Sequence, residues 1–556
     1  VALYSFNRRA LKRPATQVSF STPKLALLDY SMTVTQARID ASAKFEYVLR
    51  GTWAASMLQS GGTFYTFFQA VRAKNPAVKL GIYVILTEMN VTTASATLTA
   101  QFSDALNAAN GKGGTDGKGW WAYGAGTTNK TNYDTQYAGW YEVNPSDAVM
   151  PDSNGNRWPE VCAIGMYQGL LQWLATAVDT NGVPLLNWVM NDNVWYAPRA
   201  DKAIPLSNAS GDYNLDGVNE ACDSAGRVSN TTVRALFRAG YKKFWDKLRT
   251  LAPGLTISGN TDCDQAVWKA ASDTTELTGQ LDHPLLEAFV GRDWSIDTWG
   301  GFTNNMKWYR SAIASKRSGG TVFVMCYLDQ AVSAQAKYRL ARYGLGCTML
   351  DGGHMMPSDT DSNGPYWCAE FDAQIGAPIE AAPTTAWSNG VFRRRYENGC
   401  ILVNPVDNKG RWINVGGLTL SRTSSGLCTL SYSGLSGHGQ VAGNLIRLEK
   451  VNNGTFNGTF QITAVTATSI SWQSSNTTAA TITGNVVGVT GFFGLQTTVD
   501  LSGQGYKRIL STSDSGLNYD GTLNDGAQPV YTSQNDGSLV TTVKLWPQDA
   551  LLLLKA

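Results

Sequence analysis

Between residues 24 and 355 eight short apolar runs recur at intervals long enough to hold a helix, and that rhythm restricts the fold more than any other feature of the chain. The runs predict strands over Lys24 to Asp29, Phe45 to Leu49, Leu80 to Leu86, Leu185 to Met190, Leu255 to Ser258, Leu285 to Val290, Val322 to Tyr327 and Cys347 to Leu350. Amphipathic stretches such as Phe64 to Lys74 and Val233 to Leu251 lie between them with apolar residues at helical spacing. Eight strands alternating with helices over about 330 residues predict an α/β fold, a (β/α)8 barrel, whose functional side chains sit at the C-terminal strand ends. A doubly wound open sheet fits less well, because no Gly-rich phosphate loop follows the first run.

Two of the runs end on acids: Asp192 follows Leu185 to Asn191, and Glu287 interrupts Leu285 to Val290. A carboxylate is costly to place in a core, so two at strand ends point to a cleft that uses charge. Glycosidic cleavage needs that pair, one acid to protonate the departing oxygen and one carboxylate to attack the anomeric carbon or activate water. Asp192 and Glu287 are therefore the candidate catalytic residues. The apolar flanks Leu286 and Phe289 suit Glu287 to the acid role, since desolvation raises a carboxyl pKa. Further candidates near strand ends are Asp29, Arg50, Glu88, Trp294, Tyr327, Asp329, Asp351 and His354. Asp29 and Asp351 are expected to bind sugar hydroxyls or orient neighbours, and Arg50, Glu88, Trp294, Tyr327 and His354 to contribute to substrate binding.

A net charge of +2 over 556 residues, without a dense basic stripe, argues against nucleic acid as a partner. The 18 Trp and 23 Tyr instead suit stacking on sugar rings. A long stretch between the third and fourth runs concentrates them at Trp120, Trp121, Tyr123, Trp140, Tyr141 and Trp158, as a binding loop or as a satellite core beneath it. The basic segment Arg8 to Arg13 has no apolar region after it, so no signal peptide is expected in the chain as given, and Leu551 to Leu554 is too short to span a bilayer. No membrane partner is expected. The 8 Cys show no metal-ligand spacing, and Cys326, Cys347 and Cys400 lie in apolar runs that predict buried thiols.

After Pro378 the texture changes to short alternating strands with Gly, Asn and Ser turns, which predicts a β-sandwich with strands at Phe392 to Tyr396, Cys400 to Val403, Trp412 to Val415, Val499 to Leu501 and Val543 to Leu545. A stretch almost free of charge and rich in Ser, Thr, Gly and Asn interrupts it. The expected organisation is an N-terminal extension over 1–20, the barrel over 21–380, the sandwich over 381–419 and 494–556, and an inserted β-domain over 420–493.

A second motif, Asp212-Tyr213-Asn214-Leu215-Asp216-Gly217-Val218-Asn219-Glu220-Ala221-Cys222-Asp223, places oxygen ligands at positions 1, 3, 5, 9 and 12 with Gly at 6. That is the spacing of a calcium loop, in which position 7, here Val218, contributes its carbonyl. Asp at position 12 in place of Glu and Asn at position 8 depart from the usual pattern. A structural Ca2+ bracing the loop after Asp192 is expected, against a metal-free Asp/Asn/Gly turn cluster. No organic cofactor is expected.

Several local motifs resemble a family of bacterial and phage glycoside hydrolases with a (β/α)8 barrel and a trailing β-sandwich. They are Asn191-Asp192-Asn193-Val194-Trp195, Arg238-Ala239-Gly240-Tyr241, Leu248 to Gly254 before Gly259-Asn260, Leu286 to Gly291, Trp294-Ser295 and Ile375 to Pro378, followed by Arg394 to Gly399, Leu402 to Pro405, Tyr506 to Ile509, Asn524 to Gly526 and Leu545 to Asp549. The likeness covers most of the chain apart from the first twenty residues and the insert. It implies that the Asp192 strand end is the first carboxylate, acting as nucleophile or base, and leaves Glu287 as the acid. The insert resembles small β-domains of phage tail and adhesin proteins. Together these imply a polysaccharide substrate from a bacterial surface or exopolysaccharide, an extracellular or virion-associated location, and a virion or homo-oligomeric assembly. The competing reading is a carbohydrate-binding or structural virion protein that keeps the barrel without turnover. A polysaccharide lyase is weaker, because no Tyr/His or Lys base set stands out.

Overall fold

The computed structural model describes residues 23–31, 33–51, 55–90, 122, 140–149, 151–152, 154–195, 197–198, 211–223, 227–261, 279–291, 295–296, 301–328, 334–358, 365–406, 419–431, 442–443, 445–448, 451, 453–483, 497–510, 537–545 and 548–556. Eight strands pair in parallel in chain order: β1 (Ala26–Asp29), β2 (Tyr47–Arg50), β3 (Lys79–Ile85), β4 (Trp188–Asp192), β5 (Thr256–Asn260), β6 (His283–Val290), β7 (Phe323–Tyr327) and β8 (His354–Ser358). A parallel bridge between Leu25 and Met355, with the Met355 N–H donating to the Lys24 carbonyl at 3.0 Å, closes the sheet on itself.

The strands read as unbroken apolar runs because both of their faces are buried. Ala26, Leu28, Tyr47, Leu49, Trp188, Met190, Leu285, Phe323, Met325 and Met356 fill the barrel interior. Their alternate neighbours Leu27, Val48, Leu80, Val189, Ile257, Leu286 and Val324 face the helix layer. Gly81 leaves room for the Trp188 indole, which a Cβ at that position would meet at 2.3 Å. Around the barrel run α1 (Gln36–Ser42), α2 (Thr63–Lys74), α3 (Trp158–Met166), α4 (Thr231–Leu251), α5 (Phe302–Ser315) and α6 (Ala334–Met349). Helix α4 starts where the Asn230 side chain accepts the N–H groups of Thr232 and Val233, and it buries Val233, Phe237, Tyr241, Phe244, Trp245 and Leu248 along one stripe.

The eighth strand differs from the sequence expectation. Cys347 to Leu350 forms the end of α6 and the turn after it, and the strand starts at His354. Burial from Leu340 to Leu350 is continuous, so no helical period shows in the sequence. The cause is that α6 lies between two layers, packed against the barrel on one side and the β-sheet of the C-terminal region on the other. Gly346 permits that approach, since a Cβ there would lie 2.4 Å from the Ala550 Cβ.

The C-terminal region contains a five-stranded sheet built on β9 (Phe392–Tyr396), β10 (Gly399–Asn404) and the last strand Asp549–Lys555, with Tyr506–Lys507 and Leu539–Val540 beyond, and a separate ladder of Thr497–Asp500 with Thr542–Leu545. Alternation divides the residues of this sheet. Cys400, Leu402, Leu551 and Leu553 face a core of their own, while Ile401, Val403, Ala550 and Leu552 join the barrel's outer core. The closing leucine run is apolar throughout because it serves both. Residues Thr419 to Thr483 form a six-stranded antiparallel sheet around Leu420, Leu430, Ile446, Phe460, Ile470 and Trp472. The expected strand at Trp412 to Val415 lies outside the described residues. Cys326, Cys347 and Cys400 are buried. Among the described residues no helix is long and apolar enough to cross a membrane.

Two buried polar features hold this architecture. Arg342 on α6 donates to both carboxylate oxygens of Asp549 at 2.8 and 2.6 Å. Burial acts to lower the Arg342 pKa, and Asp549 overrides it and raises the pKa. At the N-terminal end of the barrel His283 sits among Tyr47, Trp188 and Phe323. Its Nδ1 accepts the Thr321 N–H at 3.2 Å, and its Nε2 lies 3.1 Å from the Thr256 hydroxyl. Both bonds together require the neutral ring, and burial, reinforced by the charge of Lys79, pushes its pKa down to about 3.

Replacing Asp549 with Ala removes the bidentate partner of a buried guanidinium, so Asp549→Ala is expected to lose about 3–5 kcal/mol, read as a fall in thermal midpoint. His283 binds a proton more readily in the unfolded chain than in the native one. The His283 contribution to stability is therefore expected to be complete above pH 6.5 and to fall as pH drops from there toward 3, so that the thermal midpoint of His283→Gln loses that part of the slope across the range.

Candidate active site

A parallel barrel ends all of its strands on one face, and period-two alternation decides which end residues point inward. Trp188 and Met190 are interior, so Asp192 is too; Leu285 precedes Glu287, and Met325 precedes Tyr327, by the same step. The Asn260 side chain at the end of β5 lies between the two acids. Its amide nitrogen donates to Asp192 Oδ1 at 2.7 Å and to Glu287 Oε2 at 2.8 Å. The remaining oxygens are held by phenols, Asp192 Oδ2 by the Tyr83 hydroxyl and Glu287 Oε1 by the Tyr327 hydroxyl.

Backbone geometry aims both acids. The residue after each one is a non-glycine in the left-handed region, Asn193 at φ 53° and Ala288 at φ 53°. Such conformations are costly and persist where surroundings enforce them. The Tyr241 hydroxyl donates to the Asn193 carbonyl, and the Ser295 hydroxyl to the Ala288 carbonyl at 2.6 Å. At Ala288 the pairing of β6 with β7 shifts register, so Phe289 turns outward to meet Tyr309. Leu286 also faces the outer core. The flanks expected to desolvate Glu287 thus pack elsewhere, and its carboxylate accepts from Asn260 and Tyr327.

The proton affinity of Asp192 is raised. Burial raises its pKa most and the negative charge of Glu287 raises it further, against hydrogen bonds from Tyr83, Asn260 and the Asn193 N–H that lower it. Burial and a neighbouring negative charge both favour the protonated form of Asp192.

The other sequence candidates separate clearly. Asp29 and Arg50 are at strand ends on the same face but satisfy each other: Asp29 accepts from Arg50 and from Arg38 at 3.0 Å, and the Arg50 guanidinium lies over Phe64 and Phe67 at 4.6 Å. The Glu88 backbone pairs with Glu142 in a short antiparallel ladder. Trp294 and Asp329 lie outside the described residues, as do Trp120, Trp121 and Tyr123. Trp158 is core, its indole N–H donating to the Leu86 carbonyl at 3.2 Å. Asp351 and His354 are corrected: with β8 starting at His354, both belong to the N-terminal face, away from Asp192 and Glu287. Asp351 pairs with Arg310 at 2.9 Å, and His354 contacts Glu46 at 2.6 Å and Thr321 at 2.8 Å.

Asn260 and Tyr83 are the residues that reading for acids overlooks. Counting inward positions along β3 and β5 would have found them, since both follow the parity of the interior set. In the loop after β4, Asp212 accepts the Asp216 N–H at 3.1 Å and the Gly217 N–H at 2.9 Å, and Asp223 pairs with Arg234 at 3.0 Å. Among the described residues no three His, Cys, Asp or Glu side chains form a ready-made metal cluster.

Residues 200–400 match the family model described as hypothetical glycosyl hydrolase family 15. The matched segment contains Asn260, Glu287 and Tyr327 and begins just after Asp192. Similar solved structures include an alpha-amylase from Anoxybacillus, at 7% identity and TM-score 0.36 over 84% of this chain and 99% of that one. Another is a glucosidase from Croceicoccus marinus, at 9% identity and TM-score 0.32 over 97% of this chain and 98% of that one. No curated protein matches the chain.

Because the charge of Glu287 helps to raise the Asp192 pKa, Glu287→Gln is expected to lower it, in an infrared titration of the protonated carboxyl band. With the native pKa above the unfolded one, stability falls as pH rises through the interval between them, and that interval narrows in the variant. An unchanged Asp192 titration would remove the electrostatic coupling.

Proposed function

We propose that this glycoside hydrolase cleaves a polysaccharide with retention of configuration at the anomeric carbon. One observation carries the reading. Two oxygens that accept from the same Asn260 nitrogen at 2.7 and 2.8 Å stand at most about 5.5 Å apart, which does not exceed the spacing of about 5–5.5 Å used for direct attack and falls short of the 6.5–9.5 Å that admits a water.

In this scheme Glu287 is the nucleophile and Asp192 the acid and base, which exchanges the roles expected from the sequence. The raised pKa of Asp192 supports that order, as the protonated member must be the proton donor. The Glu287 carboxylate attacks the anomeric carbon while Asp192 gives its proton to the departing oxygen. The glycosidic bond breaks and a glycosyl ester forms on Glu287. Asp192, now ionised, takes a proton from water, whose oxygen attacks the anomeric carbon; the ester bond breaks, and both carboxyls return to their first state. Asn260 holds the acids in register, and the Tyr327 hydroxyl supports charge returning to Glu287.

The substrate proposed is a bacterial surface polysaccharide or exopolysaccharide, with the protein extracellular or virion-associated. Support comes from the aromatic-rich composition and from the likeness of the low-charge stretch over 420–493 to phage tail β-domains.

Reducing ends released from a panel of bacterial capsular and exopolysaccharides are expected to fall by about 10²–10⁴-fold in Asp192→Asn and Glu287→Gln. The first anomer detected by NMR should keep the substrate's configuration. Azide should restore turnover in Glu287→Gly with an inverted glycosyl azide and in Asp192→Gly with a retained one. An inverted first product, or full activity in either variant, overturns the scheme; the opposite azide pattern reverses the two roles.

A further inference from the structure

The loop from Asp212 to Glu220 is built from residues on opposite sides of one turn. Leu215 at φ 60° and Gly217 at φ 87° bend it sharply, and Asp216 Oδ1 accepts the Val218 N–H at 2.9 Å. These features alone would describe a metal-free turn. Glu220 does not fit that description. It is 5% exposed, its Oε2 accepts from Asn230 at 3.2 Å, and its Oε1 is buried without a hydrogen-bond partner. The carboxylate faces the backbone of Asn214 and lies within electrostatic reach of Asp216 and Asp212. A buried carboxylate oxygen left unsatisfied beside two further carboxylates is a strong demand for a cation.

We infer that this loop binds one Ca2+ through Asp212, Asn214, Asp216, the Val218 carbonyl and both oxygens of Glu220. The donor set is all oxygen and mixes carboxylate, amide and carbonyl groups, as calcium takes and a cluster of acids alone does not supply. Six protein oxygens meet the lower bound of calcium's coordination, and the flexibility of its geometry lets the ion draw the loop closed. Asp223, at the twelfth position, is excluded from the set, because its carboxylate pairs with Arg234 and accepts the Arg227 N–H at 3.0 Å. Glu220 takes over the closing role three residues earlier.

The site sits where it can order the active face. Tyr213, inside the loop, accepts at its carbonyl from Asn144 at 2.9 Å and from the Ser146 hydroxyl at 2.7 Å, and its own hydroxyl donates to Glu142. The ion would therefore tie the excursion after β4 to the one after β3, both of which leave the barrel at its C-terminal face.

The test uses the full chain after chelation. Calorimetric titration with CaCl2 is expected to show one site per chain, and Ca2+ to raise the thermal midpoint where Mg2+ at the same concentration does so weakly. Terbium bound at the same place should emit on excitation of the adjacent Tyr213. Glu220→Gln and Asp212→Asn should each weaken binding by at least about tenfold, as loss of a ligand does, while Asp223→Asn stays within about threefold of the parent. Circular dichroism of each variant separates lost ligation from lost folding. Absence of saturable calcium heat in the parent chain overturns the inference. So does a folded Glu220→Gln that binds like the parent, and loss of affinity in Asp223→Asn but not Glu220→Gln would return the ligand role to the twelfth position. None of these outcomes depends on catalysis.

Discussion

Closure of a parallel sheet between Leu25 and Met355 forces every strand to end on the same face, and the rest of the molecule follows from that constraint. Interior packing uses up the strand bodies, with Trp188 lodged over Gly81 and Phe323 against Tyr47. Polar groups can then be exposed to a ligand only at the rim. Asp192, Asn260, Glu287 and Tyr327 come from four successive strands and meet because each is the next inward position beyond the packed layer. Their shared Asn260 amide converts four independent strand ends into one unit of fixed spacing.

The barrel was legible in the sequence because seven of its strands are buried on both faces and so stand out as apolar runs. The eighth was not, for a physical reason. Helix α6 is also buried on both sides, so its end mimics a strand, whereas β8 begins with His354 and contains Pro357. That displacement carried Asp351 and His354 to the wrong end of the barrel. Both acids of the candidate site could be read from their positions, but their environment could not. The bulge at Ala288 turns Phe289 away from Glu287, and no pattern of residue types announces a bulge. Asn260 and Tyr83 were invisible to a search for charge, since neither carries one.

Neutralisation separates the two kinds of acid on the active face. Asp29 is paired with two arginines, which occupy both of its carboxylate oxygens. Among the described residues Asp192 and Glu287 accept from neutral donors, two phenols and an amide. A neutral donor steadies a carboxylate without cancelling its charge, which is what the proposed roles of attacking group and proton donor require of the pair. The left-handed residues after each acid show that the backbone was bent to keep this arrangement.

The double-sided burial of α6 bears on how such a chain can be cut and recombined. A truncation after the barrel would strip the cover from Ala341, Leu345 and the Arg342 guanidinium, leaving an apolar helix face and an exposed cation where Ala550, Leu552 and Asp549 had been. The tail is thus part of the catalytic unit's hydrophobic shell and could not be exchanged as a cassette. The six-stranded sheet from Thr419 to Thr483 closes its own core around Trp472, so a lineage that shuffles surface modules would find its seam there, between β10 and the strand at Thr497.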